Sequence, residues 1–188
     1  MTSFILASSS PRRLALLKQI GLTPSRVIAT DIDETPREGE LPRTLAMRLA
    51  GEKAIAAAAP DEVVLAADTV VGCGRRILPK AEKEADVQHC LDLLSGRAHV
   101  VVTGVSVAHR GAVRVCAVMT RVRFKRLTDA ERQSYIDSGE WRGKAGGYGI
   151  QGRAERFVLS MSGSYSAIVG LPLYETAGLL QHAGVALP

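Results

Sequence analysis

The sequence predicts an α/β fold, a single domain over residues 1–188, and three observations carry that prediction. Apolar runs without polar alternation, Phe4–Ala7 and Val63–Gly72, read as strands covered on both faces. Helical stretches with caps and stop signals separate them. Two long β-branched runs then follow each other across a short turn, as in an antiparallel hairpin. With 188 residues and 46% hydrophobic content the chain can bury a proper core.

Each element has its own justification. Residues 4–7 form the first strand, and residues 11–20 the first helix, with Pro11 in its first turn, Leu14, Leu17 and Ile20 inward and Gly21 as the stop. A short strand over Val27–Ala29 leads into the acidic turn Thr30–Pro36. Thr44–Ala59 is an alanine-rich helix that places Arg48, Glu52 and Lys53 close together, and Pro60-Asp61 ends it. The run Val63–Gly72 is a central strand, and Arg75–Lys80 is its hairpin return. Glu84–Leu94 is a helix closed by Ser95-Gly96. Arg97–Ala108 and Val113–Phe124 are two long strands joined by Arg110-Gly111-Ala112. Thr128 and Glu131 form a capping-box pattern for a helix that Gly139 ends. After the glycine-dense loop Gly143–Gly152, Phe157–Met161 reads as a strand, and Gly170-Leu171-Pro172 starts a last helix to about Gln181.

Composition excludes several classes of function. The formal charge is +5, but residues 1–94 hold 12 Lys and Arg against 13 Asp and Glu, so the excess is C-terminal. Arg121, Arg123 and Lys125 alternate as on one solvated strand face. No helix-turn-helix, zinc finger or aromatic ribonucleoprotein motif accompanies them, and only 4% of residues are aromatic, which argues against nucleic acid as partner. Cys73, Cys90 and Cys116 are widely spaced and read as buried thiols of a reducing cytoplasm. The N-terminus does not read as a basic-then-apolar leader, and the longest uncharged run, Phe157–Tyr174, holds four serines and a proline, so neither a leader nor a membrane span is expected.

Chemistry concentrates at three places. Ser8-Ser9-Ser10-Pro11-Arg12-Arg13 carries hydroxyls from a strand end to a helix N-terminus, where unpaired N–H groups and the helix dipole favour an anion and two guanidinium groups can fork onto phosphate. Asp68 sits inside an oily strand, where an ionised carboxylate costs several kcal/mol unless paired, metal-bound or placed at a cleft. The loop Gly143–Gly152 lets backbone approach a ligand closely. It is not a Walker A loop, which needs Gly at 138 and Ser or Thr at 145, where the chain has Ser138 and Ala145. His89, His99, His109 and His182 have no partners at zinc spacing, and Gly163-Ser164-Tyr165-Ser166 is no nucleophile elbow. The remaining oxygens and cations, Ser8, Arg12, Arg13, Glu34, Lys53, Asp68 and Lys80, suit metal-assisted hydrolysis of a polyphosphate, with Mg²⁺ or Mn²⁺ on the carboxylates.

Taken in order, LASSSPRR, IDE with RLAGEKA, AADTVV, the lysine after Ile77-Leu78-Pro79, LSGRAHVVVTGV, GKAGGYGIQG and GSYSAIVGLPLYET span nearly the whole chain. Together they resemble the Maf (septum-formation) family of nucleoside triphosphate pyrophosphatases. The resemblance implies a fold similar to the inosine triphosphate pyrophosphatases, an elongated mixed sheet flanked by helices in two lobes with a central nucleotide cleft, and a homodimer. It implies cleavage between the α and β phosphates and a house-cleaning role in nucleotide metabolism. It marks Asp68 as proton acceptor, Arg12, Thr69 and Gln151 as positions of substrate choice, Ser8, Arg13, Lys53 and Lys80 as phosphate contacts, and Glu34 with Asp68 at the metal. GYGIQG resembles the branch acting on dTTP and UTP. A glutamine amide, both donor and acceptor, suits the imide edge of uracil or thymine. Ala81 departs from a proline common after the lysine. Two alternatives stand beside this expectation: a non-catalytic nucleotide- or nucleic-acid-binding regulator of division, and a pyrophosphatase directed at 7-methyl-GTP.

Overall fold

The computed structural model describes residues 2–188. The chain forms β1 (Phe4–Ala7), α1 (Pro11–Gln19), β2 (Arg26–Val27), α2 (Pro42–Ala56), β3 (Val63–Cys73), β4 (Arg76–Leu78), β5 (Lys80–Ala81), α3 (Glu84–Leu94), β6 (Ala98–His109), β7 (Ala112–Phe124), α4 (Asp129–Asp137), β8 (Lys144–Ala145), a 3₁₀ turn (Arg153–Phe157), β9 (Val158–Ser162), α5 (Tyr165–Val169) and α6 (Leu173–His182).

One mixed sheet runs β2-β1-β3-β6-β7-β9, with β4 added beside β3. β2, β1 and β3 are parallel; β3, β6, β7 and β9 are antiparallel. Because β2 and β3 join β1 from opposite sides, the two crossover helices cover opposite faces. α1 packs with α6 over Val63, Leu65, Val105 and Val107. On the other face α2 lies against Val64, Ala66, Val70 and Val102. A further core gathers α3 and α4 around Val101, Val122, Phe124, Tyr135, Trp141 and Phe157. The apolar run of β3 is continuous for the expected reason: it is buried on both faces nearly throughout. Gly104 lets α2 sit tight on the sheet, since a Cβ there would lie 2.2 Å from the Ala46 carbonyl oxygen.

Several boundaries differ from the sequence expectation. Pro42 occupies the first turn of α2, so that helix begins and ends earlier than Thr44–Ala59. β2 lies at Arg26–Val27, one residue before the predicted Val27–Ala29, and Leu16 joins the inward face of α1. The return after β3 is shorter than 75–80: only Arg76–Leu78 pairs with β3, and Lys80–Ala81 leaves to pair with Lys144–Ala145. α5 precedes the last helix and was not expected; Ser164 caps it by accepting from the Ala167 N–H. The β6–β7 turn holds Arg110 and Gly111, both at positive φ, as a two-residue hairpin matched to strand twist requires. Both halves of the Thr128/Glu131 capping box form. All three cysteines are free, but only Cys90 is buried; Cys73 and Cys116 are half-buried, at the margins of two core clusters. Arg121 and Arg123 are exposed on β7 as expected, whereas Lys125 lies past the strand end and pairs with Glu131 at 2.6 Å. Among the described residues no helix is long and apolar enough to cross a membrane.

Candidate active site

β1 ends at Ala7 beside Ala66, and β4 joins β3 only at Val71. Among the described residues, the stretch 67–70 of β3 therefore has a strand partner on its β6 side alone. A cleft of about 350 Å³ opens along this bare edge. It lies past the carboxyl end of β1, at the point where successive strands leave in opposite directions, the place where open α/β sheets bind ligands. One wall is the Ser8–Arg13 turn; the facing wall is Gly143–Ala145, Tyr148, Gly149 and Gln151. Gly146 shapes that wall: it is at φ +66°, and a Cβ would fall 2.8 Å from Val71 Cγ1.

The nine residues singled out from sequence, Ser8, Arg12, Arg13, Glu34, Lys53, Asp68, Thr69, Lys80 and Gln151, all line this one cleft. Neighbours on a strand point to opposite faces, so Asp68 meets α2 while Thr69 meets α1 and α5; the missing strand lets both reach the same space.

At the α1 N-terminus, Ser10 occupies the N-cap but makes no side-chain cap bond, which leaves the first N–H groups of the helix open to a ligand. Ser8 Oγ accepts from the Ser10 N–H at 3.3 Å and from Arg13 Nη1 at 2.8 Å. Arg13 also donates Nε–H to the Gly170 carbonyl at 2.8 Å and Nη2–H to Thr69 Oγ1 at 3.4 Å. Three of its five N–H donors brace the protein and two remain. Burial pushes the Arg13 pKa down; Asp68 opposes this, Arg12 adds to it and Glu34 opposes it. A deep guanidinium whose hydrogen bonds all go to neutral acceptors is short of negative charge. Burial also lowers the Arg12 pKa.

On the α2 side, Lys53 projects from the inner face of its helix and binds Asp68 Oδ1 and Glu34 Oε1, each at 2.6 Å. Lys53 thus turns inward, away from Arg48 and Glu52, which pair with each other at 3.1 Å. Lys80 bonds the other Glu34 oxygen. Burial works to raise the Glu34 pKa, but hydrogen bonds from Lys53 and Lys80 and their charges outweigh it, and the carboxyl is held below its usual range. Glu34 rides on a long irregular segment that Arg48 ties down: the guanidinium bonds Glu40 at 2.8 Å through both Nε and Nη2, and the Thr35 carbonyl at 3.0 Å.

Among the described residues no cluster of three or more carboxylate, histidine or cysteine ligands forms. Glu34 and Asp68, brought together by one ammonium group, fit an ion such as Mg²⁺ or Mn²⁺ that takes one or two carboxylates and completes its shell with waters and phosphate oxygens.

The structure adds Lys144 to the residues that the sequence singles out. It lines the cleft from the glycine-rich loop, donates to the Glu140 carbonyl, and has its pKa lowered by burial and then by Arg12, against Glu140. Its signal in the sequence is the Gly143-Lys144 pair inside the glycine-dense loop. With it the cleft holds five cationic side chains against two carboxylates, Glu34 and Asp68, an excess of three positive charges that suits a polyanion. Of the histidines, only His99 is buried; it bonds the Tyr148 hydroxyl at 2.8 Å behind the glycine loop, and burial pushes its pKa down to about 4.

A family model described as "Maf-like protein" matches residues 3–183. A "dTTP/UTP pyrophosphatase" of Caulobacter vibrioides is 60% identical over 185 residues, covering 97% of this chain and 96% of the relative. One of the same description from Sphingopyxis alaskensis is 57% identical over 189 residues, covering 100% of both. Among solved structures, a HAM1 protein from Coxiella burnetii superposes with a TM-score of 0.54 over 97% of this chain and all of that one; at 17% identity the likeness is one of fold.

Proposed function

The chain belongs to the Maf family, and from that premise we propose that it hydrolyses dTTP and UTP to the nucleoside monophosphate and pyrophosphate. The single observation that carries this reading is Asp68, a carboxylate only 3% exposed in a core strand, lining the same cleft as Ser8 and Arg13. A module that only bound nucleotide would need the cations but not this acid.

In the proposed reaction the triphosphate lies against the α1 N-terminus, with Ser8, Arg12, Arg13, Lys53, Lys80 and Lys144 around its oxygens. Water attacks the α phosphorus, its proton passes to Asp68, and the bond from the α phosphorus to the bridging oxygen breaks as pyrophosphate leaves. Asp68 Oδ1 is held by Lys53, which leaves Oδ2 to take the proton. The cations stabilise charge growing on the departing pyrophosphate. A divalent ion on Glu34 and Asp68 supplies further charge neutralisation when bound. Thr69 from the bare edge of β3 and Gln151 from the glycine-rich wall read the base, and Arg12 aids that choice. Cytoplasmic location, a house-cleaning role and a homodimer complete the proposal; three free cysteines suit a reducing compartment, and the exposed Leu159 and Met161 on the edge strand β9 suit a partner copy.

The test is a panel of dTTP, UTP and 7-methyl-GTP with Mg²⁺ or Mn²⁺, and with chelator, scored for products. Monophosphate plus pyrophosphate from the first two is expected, and Asp68→Asn should bind nucleotide yet lose on the order of 10²–10⁴ in turnover. Orthophosphate as product, or DNA retention that falls with salt and no hydrolysis, would refute it.

A further inference from the structure

Thr69 and Thr103 face each other across the β3–β6 ladder, on the same side of the sheet. Thr103 is fully buried, and nothing about its sequence context separates it from the other β-branched residues of β6. Its Oγ1 lies 2.6 Å from the carbonyl oxygen of Ala167 in α5, and 2.9 Å from Thr69 Oγ1. A carbonyl oxygen only accepts, and a hydroxyl has a single proton. The Thr103 proton is therefore spent on Ala167. Thr69 must then donate its own proton to Thr103, because two hydroxyl oxygens at 2.9 Å need one proton between them. On its other side Thr69 Oγ1 accepts from Arg13 Nη2. The polarity of the chain Arg13, Thr69, Thr103, Ala167 is thus set at both ends, by a guanidinium that only donates and a carbonyl that only accepts.

We propose that Thr103 is a positioning residue for substrate choice: by taking the Thr69 proton it makes the Thr69 oxygen a pure acceptor towards the cleft, and so favours a base that presents an N–H there. This rests on the reading above that Thr69 meets the base. Uracil and thymine carry a proton on N3; cytosine carries a lone pair at the same place and would meet oxygen lone pairs with its own. Gln151 alone does not make this distinction, since its amide can turn to offer either group. The relay supplies the direction that the amide lacks, from a residue that touches no ligand.

The experiment compares kcat/KM for UTP and CTP in the intact protein, Thr69→Val, Thr103→Val and Thr103→Ser, with thermal melting to establish that each is folded. In Thr103→Val the Thr69 hydroxyl is free to turn and donate, so the UTP to CTP ratio should fall about tenfold, the scale set by one mismatched polar contact. Thr103→Ser keeps the hydroxyl and should restore the ratio, which a loss of packing alone would not produce. If Thr103→Val does not fold, Thr103→Cys carries the same expectation, because a thiol accepts only weakly. A changed ratio in Thr69→Val with an unchanged one in Thr103→Val overturns the relay and leaves Thr69 as a base contact. An unchanged ratio in Thr69→Val overturns both.

Discussion

Removing Lys53 should do more harm to the fold than removing the carboxylate it serves. Lys53 and Asp68 are both nearly inaccessible, with side chains 9% and 5% exposed, and the ammonium bonds Asp68 Oδ1 at 2.6 Å. In Lys53→Met the alkyl stem is kept and the charge is lost, so Asp68 is left ionised in a core strand without its partner. Breaking a buried pair from one side costs about 3–5 kcal/mol. Asp68 borders the cleft, where water relieves part of that, so the lower figure of about 3 kcal/mol is expected. Asp68→Asn leaves Lys53 on Glu34 at 2.6 Å, and should cost no more than about 1 kcal/mol. In the double variant the uncompensated charge is gone, and a thermodynamic cycle should return a coupling of about 2 kcal/mol. Urea unfolding at pH 7 of the four proteins, with a common m-value, measures all of these. A loss below about 1 kcal/mol in Lys53→Met would refute the reasoning, since Asp68 would then be held by something other than its ion pair.

Three further outcomes follow from the same packing. His99, at about 4, sits below its ordinary 6.5, so between those values the unfolded chain binds a proton that the folded one refuses. Stability is complete above pH 6.5 and falls on acidification by about 1.4 kcal/mol per pH unit, about 2 kcal/mol by pH 5; urea titrations at pH 7 and 5 should show His99→Phe abolishing that difference. Arg48→Ala should free the segment bearing Glu34, cost about 2 kcal/mol, and raise amide exchange over residues 30–41, and Arg48→Lys should not rescue it because an ammonium lacks the fork that grips Glu40. Gly104→Ala drives a methyl into the Ala46 carbonyl, so α2 must lift from the sheet; a loss of about 3 kcal/mol by thermal melting is expected, with activity falling as Lys53 moves away from Asp68.

What the sequence disclosed and what it withheld divide by range of interaction. The serine and arginine turn was legible because strand end, helix start and charged groups are contiguous from Ser8 to Arg13. Asp68 was legible because a carboxylate in an oily strand is anomalous without any knowledge of its partner. The direction in which Lys53 points was not, since a helix over residues 42–56 offers it both Glu52 and the core. Pairings across long separations escaped altogether. Lys80–Ala81 looks like the tail of a hairpin until the glycine loop 144–145 arrives beside it. Thr103 is one β-branched residue in a strand of them until α5 puts a carbonyl over it. α5 itself, five residues long, is too short to show a helical period.

An unpaired strand border in mid-sheet ordinarily invites intruders, because its open N–H and C=O groups template another chain. The bare stretch 67–70 of β3 is bracketed by β1 at one end and β4 at the other, and four residues span only about 13 Å. A foreign strand needs more run than that to anchor, whereas a base or a phosphate fits. The frame thereby keeps a thirsty row of backbone dipoles open to small guests while leaving too short a run for another polypeptide to pair with.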